Sequence, residues 1–324
     1  MTLSTQRITS PARAAEIIRD GGLVAFPTET VFGLGVDATN HEAVTRLFEA
    51  KGRPSNNPLI VHLGDVDGWK LAAAELTEHA AALLAAYAPG PITVVLPKHP
   101  AISPLVTAGL HTIGIRIPKH PIALEILRAA NVPVAAPSAN LSGRPSGTTW
   151  NAVLEDLDGR VDAVFCEGSS SIGIESTVVD CCGTVPIVLR PGAISIEQVR
   201  AVVPQATELQ PNTASPTETN RVNSPGLLHP HYQPAARVVL IEELHELPTD
   251  ELNNAAYCGT TQFPATAKFA LAAVYESLDE YAANFYEFLR KVDRQSITTV
   301  YMESAKPVGI GKALLDRQRR AAQQ

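Results

Sequence analysis

The sequence predicts an α/β (α+β) protein of two domains, and three observations carry that expectation. Over residues 1–205 short β-rich runs alternate with Ala/Leu-rich stretches of helical period. Residues 206–236 change texture: ATELQPNTASPTETNRVNSPGLLHPHYQPAA is rich in Pro, Thr, Asn and Ser with almost no apolar periodicity, the signature of a linker. Residues 237–324 then resume the alternation in a small α/β domain. It has a strand at RVVLI, another near NAAYCGT, a long amphipathic helix over 267–292 and a last helix in GKALLDRQRRAAQQ. With 324 residues, 45% of them hydrophobic, the chain can bury a core in each part.

Composition narrows the function classes. The longest apolar runs are broken by charge or proline short of a membrane span, and MTLSTQRITSPARAAEIIRD lacks the apolar centre of a signal peptide. A cytoplasmic protein without membrane contact is expected. A net charge of -7 argues against a chain that coats nucleic acid and is compatible with a local basic cleft. Cys166, Cys181, Cys182 and Cys258 form no C-x-x-C pair and have no histidine at ligand spacing, so buried free thiols rather than a metal site are expected.

Along the first domain, the strand GLVAF leads into PTETVFGLG (27–35), a turn packed with hydroxyls and glycines at a strand end. Thr39 and Glu42 have capping-box spacing, Ala43, Val44, Leu47 and Phe48 form an apolar stripe, and Gly52 is suited to end that helix. Lys51 and Arg53 therefore flank a helix C-terminus, where cations also complement the helix dipole. Pro54 and Pro58 stiffen the loop that follows, and cations on a restrained backbone suit a phosphate.

Next, Leu59, Val61 and Leu63 alternate with Ile60 and His62, and in TIGIRIP the isoleucines alternate with Thr112, Gly114 and Arg116. The strand VPVAA precedes a second hydroxyl-rich loop, PSANLSGRPSG (137–147). ESTVVDCC sets Ser176 against Thr177, and PIVLRPG closes on Arg190 before a Pro-Gly turn. If these strands share a sheet, one face collects His62, Thr112, Arg116, Ser176 and Arg190. A solvated face accounts for each residue singly. Their combination of hydroxyls, imidazole and guanidinium is the chemistry of anion and hydroxyl recognition.

Standard nucleotide and hydrolase motifs fit poorly. No G-x-x-x-x-G-K-[ST] or G-x-S-x-G occurs. GLGVDA (33–38) matches G-x-G-x-x-A with Asp65 downstream, but Pro27 and the polar Thr28, Glu29 and Thr30 stand between strand and glycines.

Taken in order, PTETVFGLG, KGRP with PL following, PSAN with its SG tail, ESTVVD, LRPG, and SPG with HYQP resemble the YrdC-type threonylcarbamoyladenylate synthases in their long, two-domain form. The terminal GIGKALLDRQRRAA resembles the end of that form's second domain. The resemblance implies a twisted open mixed sheet with a concave basic cleft, followed by a small Rossmann-like α/β domain. It implies a nucleotidyltransferase that joins L-threonine, bicarbonate or CO2, and ATP into threonylcarbamoyl-adenylate with release of pyrophosphate. Mg2+ would be carried by the nucleotide, and downstream proteins would pass the group to N6 of an adenosine beside the tRNA anticodon. A weak contact with tRNA is allowed.

Carried over by motif, Arg53, Asn57, Thr112, Ser138, Asn140, Ser146 and Arg190 would hold ATP, with Lys51 assisting Arg53 at the phosphates. Thr30, His62, Arg116 and Ser176 would hold threonine, Arg116 on its carboxylate. His231 and Tyr232 would close a linker lid over the nucleotide. Two positions depart from the pattern: Phe32 stands where the family has tyrosine, and SPGLLHPHYQP lacks the family's basic residues after SPG. The alternatives are an RNA-binding or regulatory YrdC-like module without catalysis, and a carbamoyl- or acyl-transferase acting on another acceptor.

Overall fold

The computed structural model describes residues 4–209, 232–247, 252–263 and 267–323. His231 and most of the expected lid lie outside these described residues.

In chain order the first domain contributes β1 (Gln6–Ile8), β2 (Val24–Phe26), β3 (Gly33–Asp37), β4 (Ile60–His62), β5 (Ile92–Pro97) and β6 (Thr112–Arg116). It continues with β7 (Val134–Ala135), β8 (Ala163–Phe165), β9 (Thr177–Asp180), β10 (Ile187–Arg190) and β11 (Thr207–Glu208). They form one eleven-stranded mixed sheet in the order β1-β8-β2-β3-β7-β4-β6-β5-β9-β10-β11. Its main core combines Leu34, Val61, Ile113, Ile115 and Val179 with Leu47, Leu83 and Leu84 from the helices above.

Strand direction decides what the sheet brings together. β4 is parallel to β6, β6 antiparallel to β5, β5 parallel to β9, and β9 antiparallel to β10. Hence β4, β6 and β10 run the same way and end on His62, Arg116 and Arg190, while β9 runs oppositely and begins just after Ser176. Four chemistry-bearing residues from distant segments thus meet at one end of neighbouring strands.

The second domain is a four-stranded parallel sheet of β12 (Arg237–Ile241), β13 (Ala255–Gly259), β14 (Leu271–Val274) and β15 (Thr299–Glu303), ordered β12-β15-β13-β14. Parallel strands need crossovers, and the helix Leu278–Arg294 supplies the one between β14 and β15. The expected helix over 267–292 is therefore divided. Leu271–Val274 pairs with β13 as a strand, and Ser277 starts the helix by accepting a hydrogen bond from the Glu280 amide. A cap inside an apparently continuous periodic run overrides the period.

A second correction concerns the helix His41–Lys51. Asn40, not Thr39, is its cap, accepting from the Ala43 amide, while the Thr39 hydroxyl is spent on Asp37. Gly52 ends the helix as expected, in the left-handed conformation at φ 58°.

The two domains share core. Val31 and Ile174 of the first pack in one apolar cluster with Tyr281, Phe285 and Tyr286 of the second. Gly173 lets the backbones touch: it has φ 80°, and a Cβ there would lie 2.4 Å from the Ala282 carbonyl oxygen and 2.5 Å from Cα of Ala283. Gly173→Ala should therefore lower unfolding stability by about 1–3 kcal/mol, from strain at positive φ and overpacking. Thermal denaturation reads this, and an unchanged midpoint would show that the interface yields freely.

Candidate active site

An open cavity in the first domain is lined by Thr28, Thr30, Arg53, Ile60, His62, Arg116, Ser138, Asn140, Ser176 and Arg190, among others. Register accounts for one wall: His62 is the direct partner of Arg116 in the parallel β4–β6 pair. Arg116 is buried and donates to the Thr30 hydroxyl at 2.8 Å, while its other amino group lies 2.8 Å from Glu29. The PTETV turn thus supplies both a hydroxyl and a counter-charge to the guanidinium.

His62 is 4% exposed, and burial, aided by the charge of Arg116, pushes its imidazole down to about 3. It is neutral at physiological pH, and its Nδ1 has no hydrogen-bond partner among the described residues. Ser176 shares a 2.8 Å hydrogen bond with Thr93 and accepts from Arg190. A bulge between Val188 and Arg190 re-aims that arginine, whose guanidinium donates to the Ser176 carbonyl at 3.0 and 3.2 Å.

The cations of the KGRP loop take different places. Arg53 is half-buried and donates to the Pro58 carbonyl at 3.2 Å; burial and Arg190 lower its pKa to about 10, against the pull of Tyr232, which leaves it cationic. Lys51 is 2% exposed, and its ammonium donates to the carbonyls of Ser138 and Asn140. It lines the cavity and also fastens the PSAN loop to the helix end. In that loop the Asn140 side-chain nitrogen donates to Leu141 and Arg144 carbonyls, which leaves its Oδ1 buried without a partner among the described residues.

Tyr232, at the end of the expected lid, reaches the cavity wall. Three sequence candidates stand back from it. Asn57 is buried beside the lining Pro58, Thr112 sits at the opposite end of β6 from Arg116, and Ser146 is fully buried with its hydroxyl on Glu175 at 2.9 Å.

Sequence reasoning missed Glu175. Its carboxylate lines the cavity and is held by Ser146, by the Tyr286 hydroxyl at 2.9 Å and by Arg317 at 2.8 Å. Burial alone would raise its pKa, but Arg317 and Arg190 outweigh burial and keep it below the usual carboxylate range. Glu175 stands in the ESTVVD motif, yet its partners come from the other domain, and no local pattern announces them. Among the described residues no group of three or more His, Cys, Asp or Glu could hold a metal ion, and no helix is long and apolar enough to cross a membrane.

Comparison with known proteins agrees along almost the whole chain. A family model described as telomere recombination, of the Sua5, YciO and YrdC group, matches residues 16–192, and one described as threonylcarbamoyl-AMP synthase, C-terminal domain, matches 194–323. A threonylcarbamoyl-AMP synthase of Pyrococcus abyssi is 37% identical over 95% of this chain and 93% of its own length. That of Bacillus subtilis is 38% identical over 96% and 92%. The solved structure of P. abyssi Sua5 complexed with L-threonine superposes with a TM-score of 0.87 at 34% identity, covering 99% of this chain and 97% of that one.

Because His62 is held neutral, it makes stability pH-dependent. The unfolded imidazole, near its ordinary 6.5, takes up a proton that the folded one refuses. The stabilisation is fully present above that value and is lost as pH falls towards about 3. His62→Gln should flatten the decline of the thermal midpoint between about pH 6.5 and about pH 4. Identical slopes in both proteins would show that His62 is not buried in its neutral form.

Proposed function

The chain belongs to the Sua5/YrdC family of threonylcarbamoyl-AMP synthases, and on that premise we propose how its cavity divides the work. The protein is an enzyme of the transferase class. It forms threonylcarbamoyl-AMP from L-threonine, bicarbonate or CO2, and ATP, as the opening step of tRNA threonylcarbamoylation.

The chemical difficulty is electrostatic. Threonine carbamate is an anion that must reach the α-phosphate of another anion, so fixed cations have to offset the repulsion. Arg53, Arg190 and Lys51 supply them, with Ser138 and the free Oδ1 of Asn140 as polar contacts for the nucleotide and Tyr232 closing over it. Asn57, Thr112 and Ser146 support this side from behind the wall. The carboxylate that lines the cavity, Glu175, is engaged by Arg317, Ser146 and Tyr286, so Mg2+ fits as an ion carried by the phosphates, where it would supply further charge neutralisation.

On the other side Arg116 takes the threonine carboxylate, flanked by the hydroxyls of Thr30 and Ser176. The observation that carries this assignment is the junction of Arg116, Thr30 and His62, fixed by strand register and a direct hydrogen bond. His62 offers a neutral nitrogen. With a pKa near 3 it has little driving force to remove a proton from an amine, so positioning and charge neutralisation carry the reaction.

Two experiments test this. Incubation with ATP, threonine and bicarbonate should yield threonylcarbamoyl-adenylate by mass analysis, with pyrophosphate release dependent on both threonine and bicarbonate; equal release without threonine defeats the proposal. Arg116→Ala should raise KM for threonine about tenfold or more with little change for ATP, and Arg53→Ala should do the reverse and lower kcat. Crossed effects would show that the two sub-pockets are assigned the wrong way round.

A further inference from the structure

We propose that two buried arginines of the second domain, Arg290 and Arg317, are positioning residues for the nucleotide side of the site: they clamp the PSAN loop and the Glu175–Arg190 region, and Arg317 takes up the charge of Glu175. This rests on the assignment of Arg190 to the nucleotide.

Both side chains leave their own domain. Arg290, 2% exposed, donates to Asp156 at 2.8 Å and to the carbonyl of Pro145 at 2.6 Å, beside Ser146 in the loop that carries Ser138 and Asn140. Arg317, fully buried, donates to Glu175 at 2.8 Å, to the Pro191 carbonyl at 3.1 Å and to Asp316 at 2.6 Å. Glu175 and Pro191 are the immediate neighbours of Ser176 and Arg190. Arg317 therefore grips a backbone carbonyl and a carboxylate next to residues that line the cavity, and Arg290 grips the loop that carries two of them.

Docking alone does not call for this arrangement. Removing guanidiniums from water is costly, and well-packed apolar residues hold two surfaces together at least as well. What a planar donor fork adds is direction: it fixes a carbonyl and a carboxylate in one geometry. The charge balance shows why direction matters. Glu175 lies in the field of both Arg317 and Arg190, and Arg317 also opposes Arg190 directly. Arg317 shares the Oε2 of Glu175 with Tyr286, and so directs the carboxylate's charge to the second domain. Without Arg317, Glu175 becomes an internal competitor of the nucleotide.

The test uses the full-length enzyme, with pyrophosphate release measured against ATP and against threonine, and thermal midpoints recorded alongside. Arg317→Met should raise KM for ATP about tenfold and lower kcat, while KM for threonine stays within about twofold. Adding Glu175→Gln should restore most of the ATP KM, since the amide keeps an oxygen for Ser146 and Tyr286 but no longer attracts Arg190. If Arg317→Met does not fold, Arg317→Lys gives the same readout, because an ammonium keeps the charge without spanning Glu175 and Pro191 together. Unaltered kinetics in a folded Arg317 variant overturn the clamp, as does a double variant that regains its thermal midpoint without regaining ATP affinity. Arg190→Ala separates the two levels. If it raises KM for ATP while the Arg317 variants do not, the clamp alone fails; if it leaves that KM unchanged, the nucleotide assignment falls and the clamp falls with it.

Discussion

A buried carboxylate that must stay compensated ties the molecule together. Glu175 is 8% exposed, and its partners come from three segments: Ser146 in the PSAN loop, Tyr286 in the crossover helix of the second domain, and Arg317 in the last helix. Removing one member of such a buried pair typically costs 3–5 kcal/mol, roughly as much as a marginal domain has to spare. Separating the domains would break this ion pair together with the apolar contacts of their shared core, so Glu175 couples the two. Because Glu175 immediately precedes Ser176 and β9, the same constraint that joins the domains sets the position of cavity residues.

The cavity itself runs against electrostatic comfort. Lys51, Arg53, Arg116 and Arg190 line it within a chain of net charge -7. Burial, with mutual repulsion, holds Lys51 well below its ordinary value and lowers Arg190, and brings Arg53 to about 10. What keeps these groups in place is a set of backbone carbonyls: Ser138 and Asn140 for Lys51, Pro58 for Arg53, Ser176 for Arg190. For these three, carbonyl dipoles satisfy donors without cancelling the charge, whereas Arg116 has Glu29 as its counter-charge. An anion entering such a site meets cations already desolvated and oriented, which is the form of stabilisation that most favours a transition state with accumulating negative charge.

Much of this was legible in the sequence, and the gaps have physical causes. Alternation in 59–63 and 112–118 placed His62 and Arg116 on a common face, because side-chain parity in a strand is local. Parity does not give position along the strand, so Thr112 shared the face but fell four residues from Arg116, away from the cavity. The bulge that re-aims Arg190 depends on its pairing with β9, which no single strand encodes. The helix expected over 267–292 failed because apolar periodicity outlasted the Ser277 cap. Glu175 and Arg317 are 142 residues apart, and each taken alone looks like an ordinary charge. The motifs named the wall of the site, whereas its bracing came from tertiary contacts that only the folded chain reveals.

The same bracing explains how an aromatic ring is kept at the cavity. Tyr232 has φ 69°, a left-handed conformation that costs a bulky residue about 1–3 kcal/mol and persists only where its surroundings over-determine it. Here they do. Its ring centroid lies 5.2 Å from that of Tyr286 and 5.9 Å from the Arg317 guanidinium, and the next amide, of Gln233, donates to the Gly143 carbonyl in the PSAN loop. Tyr286 and Arg317, which fix Tyr232, are the residues that fix Glu175. Burial and the charge of Glu175 also raise the phenol's pKa, so it remains a neutral hydroxyl. A strained aromatic at the cavity wall and a buried acid beside it thus share one support, and that support belongs to the second domain.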